Sequence, residues 1–342
     1  MTTLITTIHG IGLGVMGSVL AKHIPSIKTI LARDLGDFYG TNNKLDLSYP
    51  HIENVIKFNN IEQVNSERKK WESDKYVYIE NSYQFASLAN RMNLYGERIY
   101  IPMWEQGSTI PETKDATQTI SVTYKTQEFL YSNGYASKYL PWPVEMPSSY
   151  NKRTKLKKLL HNAGSLGGNL RKGTYEAIAI YQNSNLAQKG ITLTVHSWKE
   201  APSELSTLIA RKPEGIIWSN RFYPNYLDIY NEFDALLFPS KLEGHAMVVM
   251  EAMAQGLPVL YTDAAPMNEY CIDPILALPV KRHLKHPDLN GPYNLVDVDN
   301  AAKKLVALSE IDLGNLSEKS YELMNSSFSW NALLPKWKSI LE

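Results

Sequence analysis

Cysteine is nearly absent from this chain of 342 residues, in which Cys271 is the only one. An internal disulfide is therefore excluded, and the composition is typical of a protein kept in a reducing compartment. The N-terminal stretch "MTTLITTIHG" has no basic leader and no long apolar core, so we expect no signal peptide. These features predict a cytoplasmic protein.

An excess of charge and a long hydrophobic run are also lacking. Lys and Arg number 35, Asp and Glu number 35, and the formal net charge is zero. A protein held to nucleic acid mainly through phosphates carries a basic excess, so that class is disfavoured. The basic cluster "NKRTKLKK" is interpreted as a solvated linker, with a phosphate or membrane contact as the alternative. No apolar run approaches the roughly 18 residues of a membrane helix, so an integral membrane segment is not expected, although peripheral membrane contact stays open.

Short β-like runs alternate with longer helix-like runs along the whole chain. This alternation predicts an α/β protein whose parallel sheets are covered by helices on both faces. The proline-rich stretch "LPWPVEMPSSY" interrupts the pattern. We therefore predict two Rossmann-like, doubly wound domains over residues 1–147 and 148–315, and a C-terminal helix within residues 316–342 that returns toward the first domain.

The stretch "ITTIHGIGLGVMGSVL" contains Gly12, Gly14 and Gly17 with the spacing G-x-G-x-x-G, and Asp34 closes the next apolar run. This is the pattern of a dinucleotide site after the first strand of a Rossmann domain. Two other interpretations stay open: a tight turn with close helix packing, and a glycine turn that approaches some other ligand.

A second motif, "DALLFPSKLEGHAMVVMEAMAQGLPVLYTD", predicts a buried strand, a loop, a helix from about Ala246 to Gln255 and another buried strand. Gly256 occupies the position of a left-handed C-terminal cap. The loop that precedes the helix lies at the carboxyl edge of the sheet, where such sheets bind ligands.

Glu243 and Glu251 flank the start of this helix, on the order of 10 Å apart along its axis. Between them the backbone amides of Ala246, Met247 and Val248 form a candidate anion site. Two carboxylates on either side of a diphosphate match the hydroxyl groups of a nucleotide sugar. The alternatives are that Glu243 compensates the helix dipole and that Glu251 is an ordinary surface residue.

The stretch "FPSKLEGHAMVVMEAMAQGLPV" resembles the donor-site signature of retaining glycosyltransferases of the GT-B fold, family 4, and "LLHNAGSLGGNLRKGTYEAIAIY" resembles that family's glycine loop and Lys-Gly. The resemblance covers residues 115–340 well and residues 1–110 loosely. His245 and Ala246 stand where Phe-Gly is usual in the family. The resemblance implies two Rossmann-like domains that face a cleft, with acceptor binding in the first domain and nucleotide-sugar binding in the second.

The resemblance also implies roles for individual residues. Lys172 would bind the donor diphosphate, with Arg171 in place of the family's usual arginine, so that no metal is needed. Glu243 would contact the donor sugar near the reacting carbon, and Glu251 would contact the ribose. The other residues expected to line the donor site are Ser240, His245, Ala246, Met247, Val248, Gly12 and Gly14.

The implied reaction transfers a hexose from a nucleoside-diphosphate sugar, UDP-glucose or similar, to a hydroxyl with retention of configuration. The acceptor would be a glycan, a lipid-linked sugar or a modified DNA base. Glu105 in the first domain is the preferred base or sugar contact, with a solvated strand-end carboxylate as the alternative. An NAD-dependent oxidoreductase and a non-catalytic nucleotide-sugar-binding protein remain competing hypotheses.

Three histidines fall outside this assignment. His9 ends the first predicted strand and is interpreted as a core or loop residue. His283 and His286 lie with Asp288 in "KRHLKHPDLNG", where a metal site is conceivable but a surface loop is expected.

Overall fold

The structure is a computed structural model, and it describes residues 1–8, 12–34, 46–80, 88–106, 109–164, 170–197, 205, 210–211, 213–285 and 290–342. These residues form two compact units. The first contains Met1–Trp142, Asn290 and Leu333–Glu342. The second contains the described residues between Pro143 and Lys285, together with Gly291–Ala332.

The first unit is built on a seven-stranded sheet in the order β3-β2-β1-β4-β5-β6-β7, in which all neighbouring strands are parallel. The strand order reverses between β1 and β4, which is the switch point of a doubly wound sheet. All six residues of β1 are buried, as expected for a strand covered on both faces. The strands are β1 Thr2–Thr7, β2 Ile27–Arg33, β3 Asn54–Phe58, β4 Lys75–Ile79, β5 Glu97–Ile101, β6 Gln118–Ser121 and β7 Lys138–Tyr139.

Helices connect these strands within the first unit. They are α1 Gly12–His23, α2 Ile61–Ser66, α3 Leu88–Arg91, α4 Thr109–Asp115 and α5 Tyr124–Ser132. The start of α2 is capped by the Asn60 side chain and that of α5 by the Thr123 hydroxyl, each of which accepts a hydrogen bond from a backbone N–H of the first turn.

The second unit contains a six-stranded parallel sheet in the order β10-β9-β8-β11-β12-β13 and a separate antiparallel pair, β14 and β15. Its order reverses between β8 and β11, so the switch point of this sheet lies between those two strands. The strands are β8 Lys158–Gly164, β9 Thr192–Ser197, β10 Ile216–Ser219, β11 Ala235–Phe238, β12 Val259–Thr262, β13 Ala277–Leu278, β14 Val280–Lys285 and β15 Pro292–Val296.

The remaining helices are α6 Thr174–Ser184, α7 Met247–Ala254, α8 Val298–Glu310, α9 Gly314–Leu323 and α10 Trp330–Leu341. The end of α10 belongs to the first unit. There, Trp337 donates from its indole N–H to the Pro141 carbonyl at 3.1 Å, and the Thr2 hydroxyl donates to the Leu341 carbonyl at 3.2 Å. No described helix has the length and apolarity that crossing a bilayer requires.

The α/β class with two Rossmann-like units is therefore confirmed, with local differences. The stretch "KRHLKHPDLNG", expected to be a surface loop, instead supplies most of strand β14, and the His283 ring hydrogen-bonds to the Asn294 side chain at 2.7 Å. The C-terminal segment consists of two helices, α9 and α10, separated by one π-helical turn over Met324–Phe328.

Candidate active site

The candidate site is built on two loops at the switch point of the second sheet. The loop after β8 leads into α6, and the loop after β11 leads into α7. Because β8 and β11 are parallel neighbours, both loops leave the sheet at its carboxyl edge.

Gly173 brings the two loops into direct contact. It has a left-handed backbone, with φ of 70°, and it forms the N-cap of α6. A Cβ atom placed on it would lie 2.0 Å from the carbonyl oxygen of Pro239, so only glycine permits this approach. The Lys241 amide donates to the Arg171 carbonyl at 2.8 Å, which fixes the contact from the other side. Arg171 and Lys172 are therefore held against the β11–α7 loop.

Three donors converge on the Glu243 carboxylate. Lys172 Nζ lies 2.7 Å from Oε1, and Arg171 Nη1 lies 3.1 Å from Oε2. The Ser240 hydroxyl donates to Oε1 at 2.5 Å. The Glu243 side chain is only 8% exposed, and that of Lys172 only 13%. Burial alone raises the pKa of Glu243, but the charges of Arg171 and Lys172 outweigh it and hold that pKa at about 2.

Glu251 lies in the second turn of α7 and is buried. Its Oε2 atom accepts a hydrogen bond from the Tyr230 hydroxyl at 2.8 Å. Burial raises the pKa of Glu251 to about 7, although the Tyr230 hydrogen bond and the Lys172 charge both oppose this shift. The interpretation of Glu251 as an ordinary surface residue is wrong. Both Glu243 and Glu251 interact electrostatically with Lys172, so the structure brings these three predicted residues together.

The start of α7 agrees with the sequence to within one residue. Ala246 is its N-cap, with a left-handed φ of 64° and no side-chain cap. Met247 and Val248 follow in the first turn and are half-buried. Gly256 has a φ of 75°, as predicted for the left-handed residue after the helix.

His245 is buried directly before this N-cap, with 4% exposure. Burial lowers the pKa of its ring to about 3, so the imidazole is neutral. Within the part of the chain that the structure describes, neither ring nitrogen has a hydrogen-bond partner.

Tyr230 is a residue of the site that sequence reasoning missed. Its ring is buried, and its carbonyl accepts a hydrogen bond from Arg153 Nη2 at 3.2 Å. Asn162 approaches its hydroxyl, with 3.5 Å between Nδ2 and the oxygen. No local signal identifies Tyr230, because it is one of 21 tyrosines and lies outside every motif.

The glycine motif of the first unit is placed at the carboxyl end of β1. Gly12 begins α1 and is exposed, and Gly14 is buried in its first turn. A Cβ on Gly17 would lie 2.1 Å from the Thr6 hydroxyl oxygen, so this third glycine is needed for helix–strand packing. His9 lies outside the described residues.

Glu105 follows β5 at the same edge of the first sheet. It is 7% exposed, so the alternative of a solvated carboxylate is wrong. Asn290 fixes the backbone around it, since the Asn290 amide donates to the Glu105 carbonyl at 3.0 Å and its side chain donates to the Trp104 carbonyl at 3.1 Å.

Among the described residues, no group of three His, Cys, Asp or Glu side chains could hold a metal ion. His286 and Asp288 lie outside the described residues, so the structure describes only His283 of the three residues named for a metal site. The His283 ring is hydrogen-bonded to the Asn294 side chain.

The segment that carries this geometry is similar to a known protein family. Residues 163–281 match the model of the family described as glycosyl transferases group 1. The matched segment contains all the predicted site residues of the second unit, from Arg171 to Glu251. A comparison with curated protein sequences gave no match.

Solved structures match over the whole chain. HepE from Anabaena, in complex with UDP and glucose, is 13% identical, with a TM-score of 0.72 over 100% of this chain and 99% of that one. Sucrose-phosphate synthase from Thermosynechococcus elongatus is 12% identical, with a TM-score of 0.71 over 99% and 97%. A chain of the GtfA/B complex is 14% identical, with a TM-score of 0.62. That match covers 82% of this chain but only 60% of the longer GtfA/B chain.

At these identities the structural matches establish the fold. The chain has the GT-B fold of glycosyltransferases, and its residues 163–281 are similar to the glycosyl transferases group 1 family.

Proposed function

We propose that the chain transfers a hexosyl group from a nucleoside-diphosphate hexose, UDP-glucose or a similar donor, to an acceptor hydroxyl with retention of configuration. The observation that carries this proposal is the cluster of Lys172, Arg171 and the buried Glu243 beside the start of α7, with Glu251 close enough to act electrostatically on Lys172. Two cations that share one carboxylate at a sheet switch point suit an anionic ligand.

In this proposal the diphosphate binds Lys172 and Arg171. Phosphate oxygens replace the Glu243 carboxylate on the two cations, and the amides at the start of α7 add further donors. The cations then stabilise the charge that develops on the departing nucleoside diphosphate, which is a role that a metal ion fills elsewhere.

Glu251 binds the ribose in the same proposal. Two neighbouring ribose hydroxyls donate to an ionised carboxylate, and Tyr230 holds that carboxylate in place through its 2.8 Å hydrogen bond. The ribose contact therefore requires Glu251 to lose the proton that its buried position favours.

Glu243, once released from the cations, contacts hydroxyls of the transferred sugar. The bond between the anomeric carbon and the phosphate oxygen breaks through an oxocarbenium-like state, and the acceptor oxygen bonds to the same face of that carbon. The acceptor proton passes to the departing phosphate oxygen. The chain contributes positioning and electrostatic stabilisation.

The first unit supplies the acceptor contacts, with Glu105 as the candidate base or sugar ligand. The acceptor class stays a glycan, a lipid-linked sugar or a modified DNA base. A non-catalytic nucleotide-sugar-binding protein is the second candidate function, because Ala246 stands where the resembling family usually has glycine, in a left-handed conformation that L side chains rarely adopt.

A thermal-shift screen against UDP-, GDP- and ADP-sugars and NAD tests the proposal. A ligand at 100 times its dissociation constant stabilises the folded chain by about 2.7 kcal/mol, which raises the melting temperature measurably. We expect stabilisation by a nucleotide sugar, and slow release of free nucleotide from it if the chain is an enzyme. Stabilisation by NAD alone would refute the proposal, and binding without nucleotide release would favour the non-catalytic function.

A further inference from the structure

His245 is a buried polar side chain whose ring nitrogens find no hydrogen-bond partner among the described residues. Both nitrogens are also shielded from solvent. The contact that fixes the residue is through its backbone, whose carbonyl accepts from the Tyr270 hydroxyl at 3.4 Å. An unpartnered buried polar group lowers the stability of the folded state, so its presence calls for a physical reason.

A second buried histidine in the same unit shows what a structural histidine looks like. His161 is fully buried, with Nδ1 3.0 Å from the Leu237 carbonyl oxygen and Nε2 3.0 Å from the Thr174 hydroxyl. Both of its nitrogens are satisfied by the protein. His161 shows that this unit can satisfy both nitrogens of a buried histidine, which it does not do for His245 with the residues that the structure describes.

The position of His245 connects it to the candidate site. It lies two residues after Glu243 and immediately before the N-cap of α7, and the Glu243 charge acts on its ring. A neutral imidazole presents one N–H donor and one acceptor nitrogen. A hydroxyl group can pair with either nitrogen, because it can both donate and accept a hydrogen bond.

We propose that His245 is a specificity-determining residue whose imidazole hydrogen-bonds to a hydroxyl of the transferred sugar. This inference rests on the proposed function and goes further, because it assigns one side chain to the recognition of one sugar hydroxyl. The ring is buried in the structure. Phosphate oxygens compete with Glu243 for Lys172 and Arg171, so donor binding releases the loop that carries both Glu243 and His245 and lets the ring turn toward the sugar.

The variants His245→Phe and His245→Gln test the proposal by calorimetric titration with UDP and with UDP-glucose. Phenylalanine keeps a planar ring but has no polar atom, and glutamine restores a donor and an acceptor. In His245→Phe we expect UDP affinity within about twofold of wild type and UDP-glucose affinity about five- to tenfold lower. His245→Gln should recover part of the loss.

Titration with deoxy analogues of UDP-glucose identifies the hydroxyl. Wild type should bind one analogue more weakly than UDP-glucose, and His245→Phe should bind that analogue and UDP-glucose equally, as in a double-mutant cycle. Equal discrimination by both proteins would overturn the role of His245 while leaving the proposed function intact. Failure of wild type to bind both UDP and UDP-glucose would overturn both.

Thermal unfolding of the ligand-free proteins supplies a second readout. His245→Phe removes two unpartnered polar atoms, so we expect an unchanged or higher melting temperature. The matched variant His161→Phe leaves the Thr174 hydroxyl and the Leu237 carbonyl without their partner, and it should melt at a lower temperature. A large loss of stability in His245→Phe would show that the ring is structural and would overturn the proposal.

Discussion

The Glu251 carboxyl changes its charge close to neutral pH, because burial raises its pKa to about 7. The groups that act on it are Tyr230 and Lys172. If the ionised form binds the ribose, UDP-glucose affinity should rise with pH up to about 7 and then level off, with up to a tenfold loss per unit below that value. UDP-glucose is the suitable probe because its diphosphate carries no terminal phosphate group that titrates in this range.

Titration calorimetry across about pH 5.5 to 8.5 measures this dependence. The variant Glu251→Gln should bind more weakly at high pH and lose the pH dependence. An identical pH profile in wild type and variant would rule out Glu251 as the titrating group.

Tyr230 should act on the donor through Glu251. The variant Tyr230→Phe removes a hydrogen bond to the charged form of Glu251, so the midpoint of the affinity profile should move to higher pH. At pH about 7 we expect up to tenfold weaker UDP-glucose binding, since a hydrogen bond to a charged group is lost. Tyr131→Phe is the matched control, because that residue is 81% exposed in α5. Equal profiles for all three proteins would contradict a positioning role.

Sequence reasoning found the charged residues of the site but not this tyrosine. Lys172, Glu243 and Glu251 belong to motifs with fixed spacing, whereas Tyr230 approaches Glu251 from a separate 3₁₀ segment, Tyr226–Glu232. A contact that depends on tertiary packing between distant segments leaves no local pattern. The burial of Glu105 was unpredictable for the same reason, because the residue that fixes its backbone is Asn290.

The contact between the β8–α6 and β11–α7 loops depends on Gly173. Gly173→Ala adds left-handed strain and a clash with the Pro239 carbonyl. Gly190→Ala is a matched control with nearly the same φ of 71°, and no atom of the described residues lies within 4 Å of the added Cβ. The control should lose about 1 kcal/mol of unfolding free energy and Gly173→Ala about 1–3 kcal/mol more.

Urea unfolding measures both values, and nucleotide titration of Gly173→Ala at low urea shows whether Lys172 is still held in place. Similar losses in the two alanine variants would mean that the loop contact relaxes easily and does not fix the site.

Helix α7 was predictable from sequence to within a residue because its limits are set locally, by a loop before it and Gly256 after it. The β14–β15 pair was not. Its residues 281–285 are exposed and mostly polar, so they show no buried face and no apolar alternation. Pairing with β15 and the anchoring of Asn294 to the Lys241 carbonyl at 3.0 Å stabilise the strand instead.

At the scale of the whole molecule, buried ionisable groups make the stability of the second unit depend on pH. Glu243 has a folded pKa of about 2 against an ordinary 4.5, so its stabilising contribution is lost as pH falls below 4.5. The pKa of His161 is lowered to about 4 from 6.5, so its contribution is also lost on acidification below 6.5.

Glu251 acts in the opposite direction, because its pKa is raised from 4.5 to about 7. The folded state holds its proton more tightly, so stability falls as pH rises from 4.5 toward 7. Glu251→Gln should therefore gain a few kcal/mol of unfolding free energy relative to wild type at about pH 8, and little at about pH 4.5. Urea unfolding at the two pH values measures this, and a pH-independent difference would contradict the raised pKa.

The two-unit architecture was predictable because strand and helix signals alternate with strong periodicity over most of the chain. The limits of the units were less accessible to sequence reasoning. The second unit starts at Pro143, and the last ten residues, Leu333–Glu342, group with the first unit through contacts such as that of Trp337 with Pro141.

The central claim is that Lys172 holds the diphosphate of a nucleotide sugar beside the start of α7. Titration calorimetry of UDP-glucose into wild type, Lys172→Ala and the control Lys189→Ala tests it most directly, since Lys189 forms a half-exposed surface pair with Glu310. We predict affinity about 10- to 100-fold lower in Lys172→Ala and unchanged in Lys189→Ala, with all three proteins folded. Equal affinity in wild type and Lys172→Ala would contradict the account.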